Sequence, residues 1–242
     1  MKIKNVLFLV FFISLLPFSV AAKVTLPAIF SDNLVLQQNT NVNVWGKAAP
    51  GERVAVKASW ADKVLTTKAT ANGKWSLKLK TPAAMKGQTI TITGENSITI
   101  KNVLIGEVWL CTGQSNMEYP VARHADKKWM TGMLNGEKEM GDADYPDIRL
   151  FRVEHQLAND AEADDCKGEW LVCNPKNLYD FSAVGFIFGR KLHKELHVPV
   201  GLIQSTWGGT HAESWTKMSV MKNNPLYAYV LKDFAVDKVK QE

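Results

Sequence analysis

The fold is decided by residues 106–118, which read GEVWLCTGQSNME. The run from Val108 to Cys111 is continuously apolar, which is typical of a strand covered on both faces in a parallel sheet flanked by helices. Gly113 and Ser115 follow directly. A serine just beyond the carboxyl end of such a strand is raised clear of the sheet, where a substrate can reach it. The stretch predicts the start of an α/β domain with a candidate nucleophile, although a Gly-x-Ser after a strand is also a common turn.

A second α/β unit is predicted between residues 182 and 203. Apolar residues recur at helical spacing from Ser182, the predicted N-cap, to Leu196, and Pro199 ends this helix. Val200–Ile203 then reads as a strand, which gives the helix-to-strand half of a βαβ unit. Residues 147–153 read as a further strand.

A pair of glycines, Gly208 and Gly209, follows the second strand. Because the carboxyl ends of parallel strands meet at one edge of an open sheet, we expect this loop to lie near Ser115. Glycine permits close backbone approach and leaves main-chain N–H groups free to stabilise an oxyanion. A plain Gly-Gly turn is the alternative.

The region before Gly106 has a different pattern. Apolar and polar residues alternate with a period of two in segments separated by turn residues, as at 42–45, 53–57, 75–79 and 89–93. Short antiparallel strands at this spacing predict a small β-sandwich over residues 23–105. The fold class expected is therefore α/β, with an amino-terminal β-sandwich followed by a parallel-sheet α/β domain.

The first 22 residues have the three parts of a secretory signal. Lys2 and Lys4 give a basic start, an apolar run follows, and small residues at Ala21 and Ala22 provide a cleavage site. The run is too short and too interrupted for a permanent span. We therefore expect segments 1–22 (signal), 23–105 and 106–242, and a secreted or periplasmic product that is not held in a membrane after cleavage.

Charge and cysteine content exclude two classes of protein. The net charge of +5 is too mild for a nucleic-acid-binding protein. Three cysteines in a chain of this size do not make a disulfide scaffold. Cys111 reads as a small buried residue, and whether Cys166 pairs with Cys173 across a short loop is left open.

Several motifs together resemble a known family. GQSNM at 113–117, FSAVG with FGR at 181–190, and the stretch 198–215 resemble the sialate O-acetylesterases, members of the SGNH hydrolase superfamily. LPAIFSDN at 26–33 is similar to the amino-terminal β-domain of that family. In order, these motifs cover nearly all of the chain after the signal.

The resemblance implies a serine esterase that removes O-acetyl groups from sialic acid or a related acetylated glycan. It implies Ser115 as the nucleophile, an acyl-enzyme intermediate, and no metal or organic cofactor. Gly208 or Gly209 matches the loop near the oxyanion, and the N–H of Ser115 is a second donor. Thr210 and Glu213 match the segment that closes this loop and supports the pocket.

The catalytic base of this family is not found in the sequence. The resemblance implies a histidine three residues after an aspartate, but no Asp-x-x-His occurs in the 242 residues. The histidines are His124, His155, His193, His197 and His211. Of these, His211 is the best substitute because it follows the glycine pair. His193 and His197 have the i, i+4 spacing of metal ligands but lack a third ligand. We therefore expect that the carboxyl-terminal part of the catalytic domain is missing.

Two other functions remain open at this stage. The first is a carbohydrate-binding or adhesive β-sandwich protein whose hydrolase portion is inert. The second is an esterase with the same chemistry that acts on other acetylated polysaccharides. A sialic acid carries a carboxylate, which an arginine binds in bidentate fashion. The candidates for this role are Arg123, Arg149 and Arg152.

Overall fold

The structure is a computed structural model that describes residues 23–125, 130–157 and 162–241, with the backbone alone for 235–241. The predicted signal segment at 1–22 lies outside the described residues. No helix in the described part of the chain is both long and apolar enough to cross a bilayer.

The region up to Gly113 is built from strands, as the alternating pattern predicts. The strands are β1 (Val35–Gln37), β2 (Asn41–Lys47), β3 (Arg53–Ala58), β4 (Leu65–Lys68), β5 (Lys74–Lys80), β6 (Met85–Thr93) and β7 (Ser97–Gly113). Each of the four segments singled out in the sequence falls within one of them, so these strand predictions are confirmed.

Strands β2 and β5 form a separate antiparallel two-stranded sheet. Its inward residues Val44, Trp75 and Leu79 are buried in the same core cluster as Val54 and Ile90 of the larger sheet. Two sheets therefore share one apolar core here.

The larger sheet continues from the amino-terminal strands into the α/β part through β7. The early residues of β7 pair antiparallel with β6, and its last residues pair parallel with β10 (Val200–Thr206). The strand order is β4-β3-β6-β7-β10-β8-β9, with β1 beside β7. The α/β class is confirmed in the form of a mixed sheet. The predicted division between residues 105 and 106 falls inside β7 and stays a prediction.

Both helices and strands follow β7. The elements are α1 (Ser115–Glu118), α2 (Gly136–Gly141), β8 (Tyr145–Arg152), β9 (Trp170–Cys173), α3 (Pro175–Leu178), α4 (Ala183–Leu196), β10, α5 (Met218–Lys222) and α6 (Ala228–Gln241). Short 3-10 turns lie at Ala212–Trp215 and Pro225–Tyr227. The helix and both strands predicted in this region are confirmed. Ser182 caps α4 as expected, because its Oγ accepts a hydrogen bond of 3.0 Å from the N–H of Gly185.

Helix α4 covers one face of the parallel strands. Phe186 is fully buried against Ile148 and Leu150 of β8 and Leu202 of β10. Gly189 brings the helix close to the sheet, since a Cβ at this position would lie 2.5 Å from a methyl carbon of Leu202. This packing holds the carboxyl ends of the parallel strands in place relative to α4.

One prediction for β7 is wrong. The run Val108–Cys111 was expected to be covered on both faces, but Trp109 is 42% exposed and Leu110 is 61% exposed. Residues 107–113 form the edge of this part of the sheet, because β10 pairs with one side of them and no other described strand pairs with the other side. At such an edge the covering layers do not extend fully over Trp109 on one face or Leu110 on the opposite face. The ring of Phe188 on α4 makes an edge contact with Trp109 at 5.0 Å, which leaves much of the indole uncovered.

The three cysteines are free thiols. Cys111 is buried, as the sequence indicates, and burial raises the pKa of its thiol. Cys173 lies in the helix-side core, whereas Cys166 packs against the other cluster. The possible pairing of these last two cysteines is therefore not observed.

Candidate active site

The two loops predicted to meet do leave the same rim of the sheet. The last residues of the two parallel strands, Gly113 of β7 and Thr206 of β10, lie directly opposite each other. The N–H of Trp207 donates to the carbonyl oxygen of Gly113 at 3.1 Å, which joins the loops at their bases.

Ser115 lies at this rim and is exposed. It is the first residue of α1, and the chain turns out of the strand at Gly113, whose φ of +143° favours glycine. The Ser115 hydroxyl donates to Oε1 of Gln114 at 2.9 Å. The hydroxyl is thus accessible from solvent and held by its neighbour.

Gly208 lies next to Ser115. A Cβ at position 208 would be 3.5 Å from Oγ of Ser115 and 2.5 Å from Oε2 of Glu118, so a larger residue does not fit without movement. Gly209 is exposed with a φ of +79°, and a Cβ there would meet no atom within 4 Å. Gly208 therefore provides the close approach, and Gly209 provides the turn.

The expected oxyanion donors are already paired with side-chain oxygens. The N–H of Gly208 donates to Oε2 of Glu118 at 2.5 Å, and the N–H of Ser115 donates to Oε1 of Gln114 at 3.2 Å. The expectation that these groups are free is therefore wrong for this conformation. A polar N–H without a partner is costly when water is excluded, so neighbouring acceptors satisfy both groups.

Sequence reasoning missed His155 and Glu118, which also lie at the rim. Nε2 of His155 is 2.7 Å from the carbonyl oxygen of Thr206 and 3.1 Å from Oε1 of Glu118, and its ring stacks on Trp207 at 4.2 Å. Nε2 of His155 therefore faces two acceptor oxygens, and the described residues show no hydrogen bond between His155 and the hydroxyl of Ser115. The signal that points to His155 is its position shortly after β8, the third strand of the rim.

Thr210 holds the glycine loop, whereas Glu213 is paired with Tyr229 of α6. The hydroxyl of Thr210 donates to the carbonyl oxygen of Trp207 at 2.7 Å and accepts from Nε1 of Trp215 at 2.9 Å. Glu213 accepts from the hydroxyl of Tyr229 at 2.8 Å. The pKa of Glu213 is lowered by its main-chain hydrogen bond and by that hydroxyl, which keeps the carboxylate ionised.

No described histidine hydrogen-bonds to the Ser115 hydroxyl. His211 is exposed at the start of the 3-10 turn that contains Glu213. Nδ1 of His193 is paired with the carbonyl oxygen of Val198 at 2.8 Å, and Nε2 of His124 lies 2.8 Å from Asp180. Within the described ranges, no group of three side chains is arranged to hold a metal ion.

Two of the candidate arginines differ in their exposure to solvent. Arg149 is only 3% exposed, and burial lowers its pKa while Asp147 opposes this shift, so it does not face a ligand. Arg152 is partly exposed, 3.5 Å from Asp180, and lines a groove of about 900 Å³ together with His155. The groove therefore adjoins the rim that carries Ser115.

The amino-acid sequence of the chain is similar to those of several known proteins. The chain is 31% identical over 215 residues to the sialate O-acetylesterase of Mus musculus, and the match covers 81% of this chain. The resemblance to the sialate O-acetylesterase family is confirmed. The sialate O-acetylesterases of Rattus norvegicus and Homo sapiens are 30% and 29% identical to the chain over 214 and 212 residues. No family model matches the chain.

The fold of the chain also resembles that of a solved structure. A carbohydrate acetylesterase from Xanthomonas citri superposes with a TM-score of 0.73 at 32% identity, over 81% of this chain and 43% of that one. The chain spans 38% of the length of the sialate O-acetylesterases named above. The similarity thus covers most of this chain but less than half of each relative.

Proposed function

We propose that this chain carries the nucleophile of an acetyl esterase that acts on acetylated carbohydrates. The observation that carries the proposal is the approach of the exposed Ser115 to Gly208, where a Cβ would be 3.5 Å from the hydroxyl oxygen. Relatives named as sialate O-acetylesterases and as a carbohydrate acetylesterase support the same chemistry.

The reaction proceeds through an acetyl-enzyme. Oγ of Ser115 attacks the carbonyl carbon of the acetyl ester while a base takes its proton, and the base returns that proton to the sugar oxygen as its bond to the carbonyl carbon breaks. Water then attacks the acetylated serine and releases acetate. The N–H of Gly208 stabilises the oxyanion once the carboxylate of Glu118 gives up its hydrogen bond.

The base is supplied by polypeptide outside the described residues. The free edge of β7 supports this part of the proposal, because an unpaired strand edge that carries exposed apolar side chains favours pairing with a further strand. Trp109 and Leu110 are the exposed residues on this edge. A strand docked here would extend the sheet on the side of Ser115 and bring the Asp-x-x-His pair that the family implies.

A sialic acid is the substrate that we propose within this class, with other acetylated polysaccharides as the alternative. A sialic acid carries a carboxylate, which a guanidinium binds in bidentate fashion. Arg152 is the arginine suited to this role, because its groove adjoins the rim at His155. Substitution of Arg152 by Met should lower the rate on O-acetylated sialic acid and leave the rate on a neutral acetylated sugar unchanged.

Two further parts of the proposal concern the amino-terminal region. We propose that residues 23–105 form a β-sandwich, which the shared core of Val44, Trp75 and Ile90 supports. We propose that residues 1–22 direct export, so that the mature protein works outside the cytoplasm. Amino-terminal sequencing of the exported protein should begin at Lys23.

The experiment is hydrolysis of an acetyl ester by the chain alone. With the base absent, we expect slow acetate release that Ser115→Ala abolishes and that Ser214→Ala, a change at another exposed serine, leaves intact. Hydrolysis at the rate of a complete esterase would contradict the proposal that polypeptide outside the described residues supplies the base. Release that persists in Ser115→Ala would contradict the nucleophile itself, and the inert carbohydrate-binding alternative would then be favoured.

A further inference from the structure

A second groove lies on the outer face of the β2–β5 sheet. Strand alternation points Trp45 and Lys47 of β2 outward beside their cross-strand partners Ser76 and Lys74 of β5. Together with the segment near Leu26, these side chains line a groove of about 660 Å³, which is within the usual range for small-ligand sites.

Trp45 is the apolar surface of this groove. Its indole is 41% exposed, although the ring of Phe30 contacts it edge-on at 4.7 Å. A single exposed aromatic residue is ordinary on a protein surface. This one differs because it lies in a concave site and is surrounded by charged and hydroxyl-bearing side chains.

Two lysines share one carboxylate across the groove. Nζ of Lys74 is 2.8 Å and Nζ of Lys47 is 3.5 Å from the carboxylate of Asp164. The hydrogen bond from Lys74 is the main cause of the lowered pKa of Asp164, so the carboxylate stays ionised and accepts hydrogen bonds. Asp165 accepts from the N–H of Ala28 at 3.1 Å, which ties the segment around Asp164 to the groove wall.

We propose that this groove binds a pyranose ring of a glycan chain. The C–H face of the ring packs on Trp45, and its hydroxyl groups donate to Asp164 and accept from Lys47 and Lys74. A sugar hydroxyl both donates and accepts, and the groove offers ammonium donors beside a carboxylate acceptor. Because this ion pair is exposed, it is weak, and a ligand shares its partners at little cost.

The site is separate from the rim that carries Ser115. None of its residues lies among those that surround Ser115 and Gly208, and its predicted occupancy does not depend on ester hydrolysis. A glycan held there would keep an acetylated polysaccharide attached to the protein between turnovers. The function that we infer for this groove is therefore binding of the polysaccharide, and not catalysis.

The test is a calorimetric titration of the Ser115→Ala chain, in which hydrolysis cannot contribute to the heat. The probes are a neutral hexose hexasaccharide, a hexauronate of matched length and an oligoglutamate peptide. We expect saturable binding of the saccharides. Trp45→Ala should weaken it about tenfold or more, as for truncation of a buried anchor. Trp109→Ala is the matched control, since Trp109 is 42% exposed but does not line this groove, and it should leave binding unchanged.

Several outcomes would overturn the proposal: no saturable binding of either saccharide, equal effects of Trp45→Ala and Trp109→Ala, or binding of the peptide as tight as that of the saccharides. If Trp45→Ala unfolds, as judged by circular dichroism, Lys74→Met replaces it, because this exposed side chain has no core role. We expect Lys74→Met to weaken saccharide binding severalfold, and unchanged binding would contradict the proposal. Acetate release that persists in Ser115→Ala would contradict the proposed nucleophile and leave these binding results unaffected.

Discussion

The carboxylate of Glu118 joins the turn of Ser115 to the glycine loop by accepting the N–H of Gly208 at 2.5 Å. Its other oxygen lies 3.1 Å from Nε2 of His155. One side chain thus connects the ends of three strands, because Glu118 follows β7, His155 follows β8 and Gly208 follows β10. Glu118 is therefore a positioning residue for the two groups that the proposed reaction uses.

Removal of this carboxylate should loosen the rim. We expect Glu118→Ala to lower the second-order rate at which a fluorophosphonate labels Ser115 by about tenfold or more, since small displacements of reacting groups have effects of that order. Glu118→Gln keeps an oxygen that can accept from Gly208, so we expect its rate within about threefold of the parent. Equal losses in the two variants would argue against the positioning role.

Gly208 has no room for a side chain. A Cβ there would lie 2.5 Å from Oε2 of Glu118, so Gly208→Ala should push the loop away from Ser115. We expect labelling of Ser115 to fall at least tenfold, with the thermal midpoint changed by only a few degrees. Gly141→Ala serves as the control, because a Cβ at Gly141 meets nothing within 4 Å. A Gly208→Ala chain that labels like the parent would contradict the close approach.

Periodicity and turn residues predicted the strands, α4 and the common rim, because these features depend on local pattern and on the rule for parallel strand ends. The sequence did not predict Glu118 and His155, since their roles depend on side-chain contacts between residues 37 positions apart. It also misassigned Trp109 and Leu110. An apolar run indicates that both faces of a strand favour burial, but it does not show whether the described residues include the elements that bury them.

The contact between α4 and the sheet predicts a stability effect at Gly189. Alanine in a helix is favoured over glycine by about 1 kcal/mol, but overpacking of a core costs about 1–3 kcal/mol. A Cβ at Gly189 would lie within 3.0 Å of three side-chain atoms of Leu202, so the cost should exceed the gain. We expect Gly189→Ala to lower the free energy of unfolding by about 1 kcal/mol in a urea titration. An increase would show that Leu202 moves aside.

The thiols should differ in reactivity. Burial raises the pKa of Cys173 to about 12, with Arg190 opposing the shift, and burial also raises the pKa of Cys111. Desolvation also raises the pKa of Cys166, but its thiol is partly exposed, so we expect iodoacetamide at pH 8 to modify Cys166 and leave the two buried thiols intact. Mass mapping of the native chain checks this. Modification of Cys173 at a rate similar to that of Cys166 would contradict its burial.

The raised pKa of Cys173 also sets a pH dependence of stability. The folded state favours the protonated thiol, so its contribution is fully present below the unfolded value of 9.0 and is lost as the pH rises from there towards about 12. We expect the free energy of unfolding to fall as the pH rises above 9, and Cys173→Ala to reduce this fall. If the free energy of unfolding of Cys173→Ala falls with pH as steeply as that of the parent, the effect belongs to other groups.

The most direct test of the account is covalent labelling of the exposed hydroxyl at the rim. The intact chain is incubated with a fluorophosphonate, and the modified residue is identified by peptide mass mapping. The account predicts that the label attaches to Ser115, slowly because the base lies outside the described residues, that Ser115→Ala abolishes it and that Ser214→Ala does not. Label distributed over several surface serines, or none on Ser115, would contradict the assignment of this residue as the nucleophile.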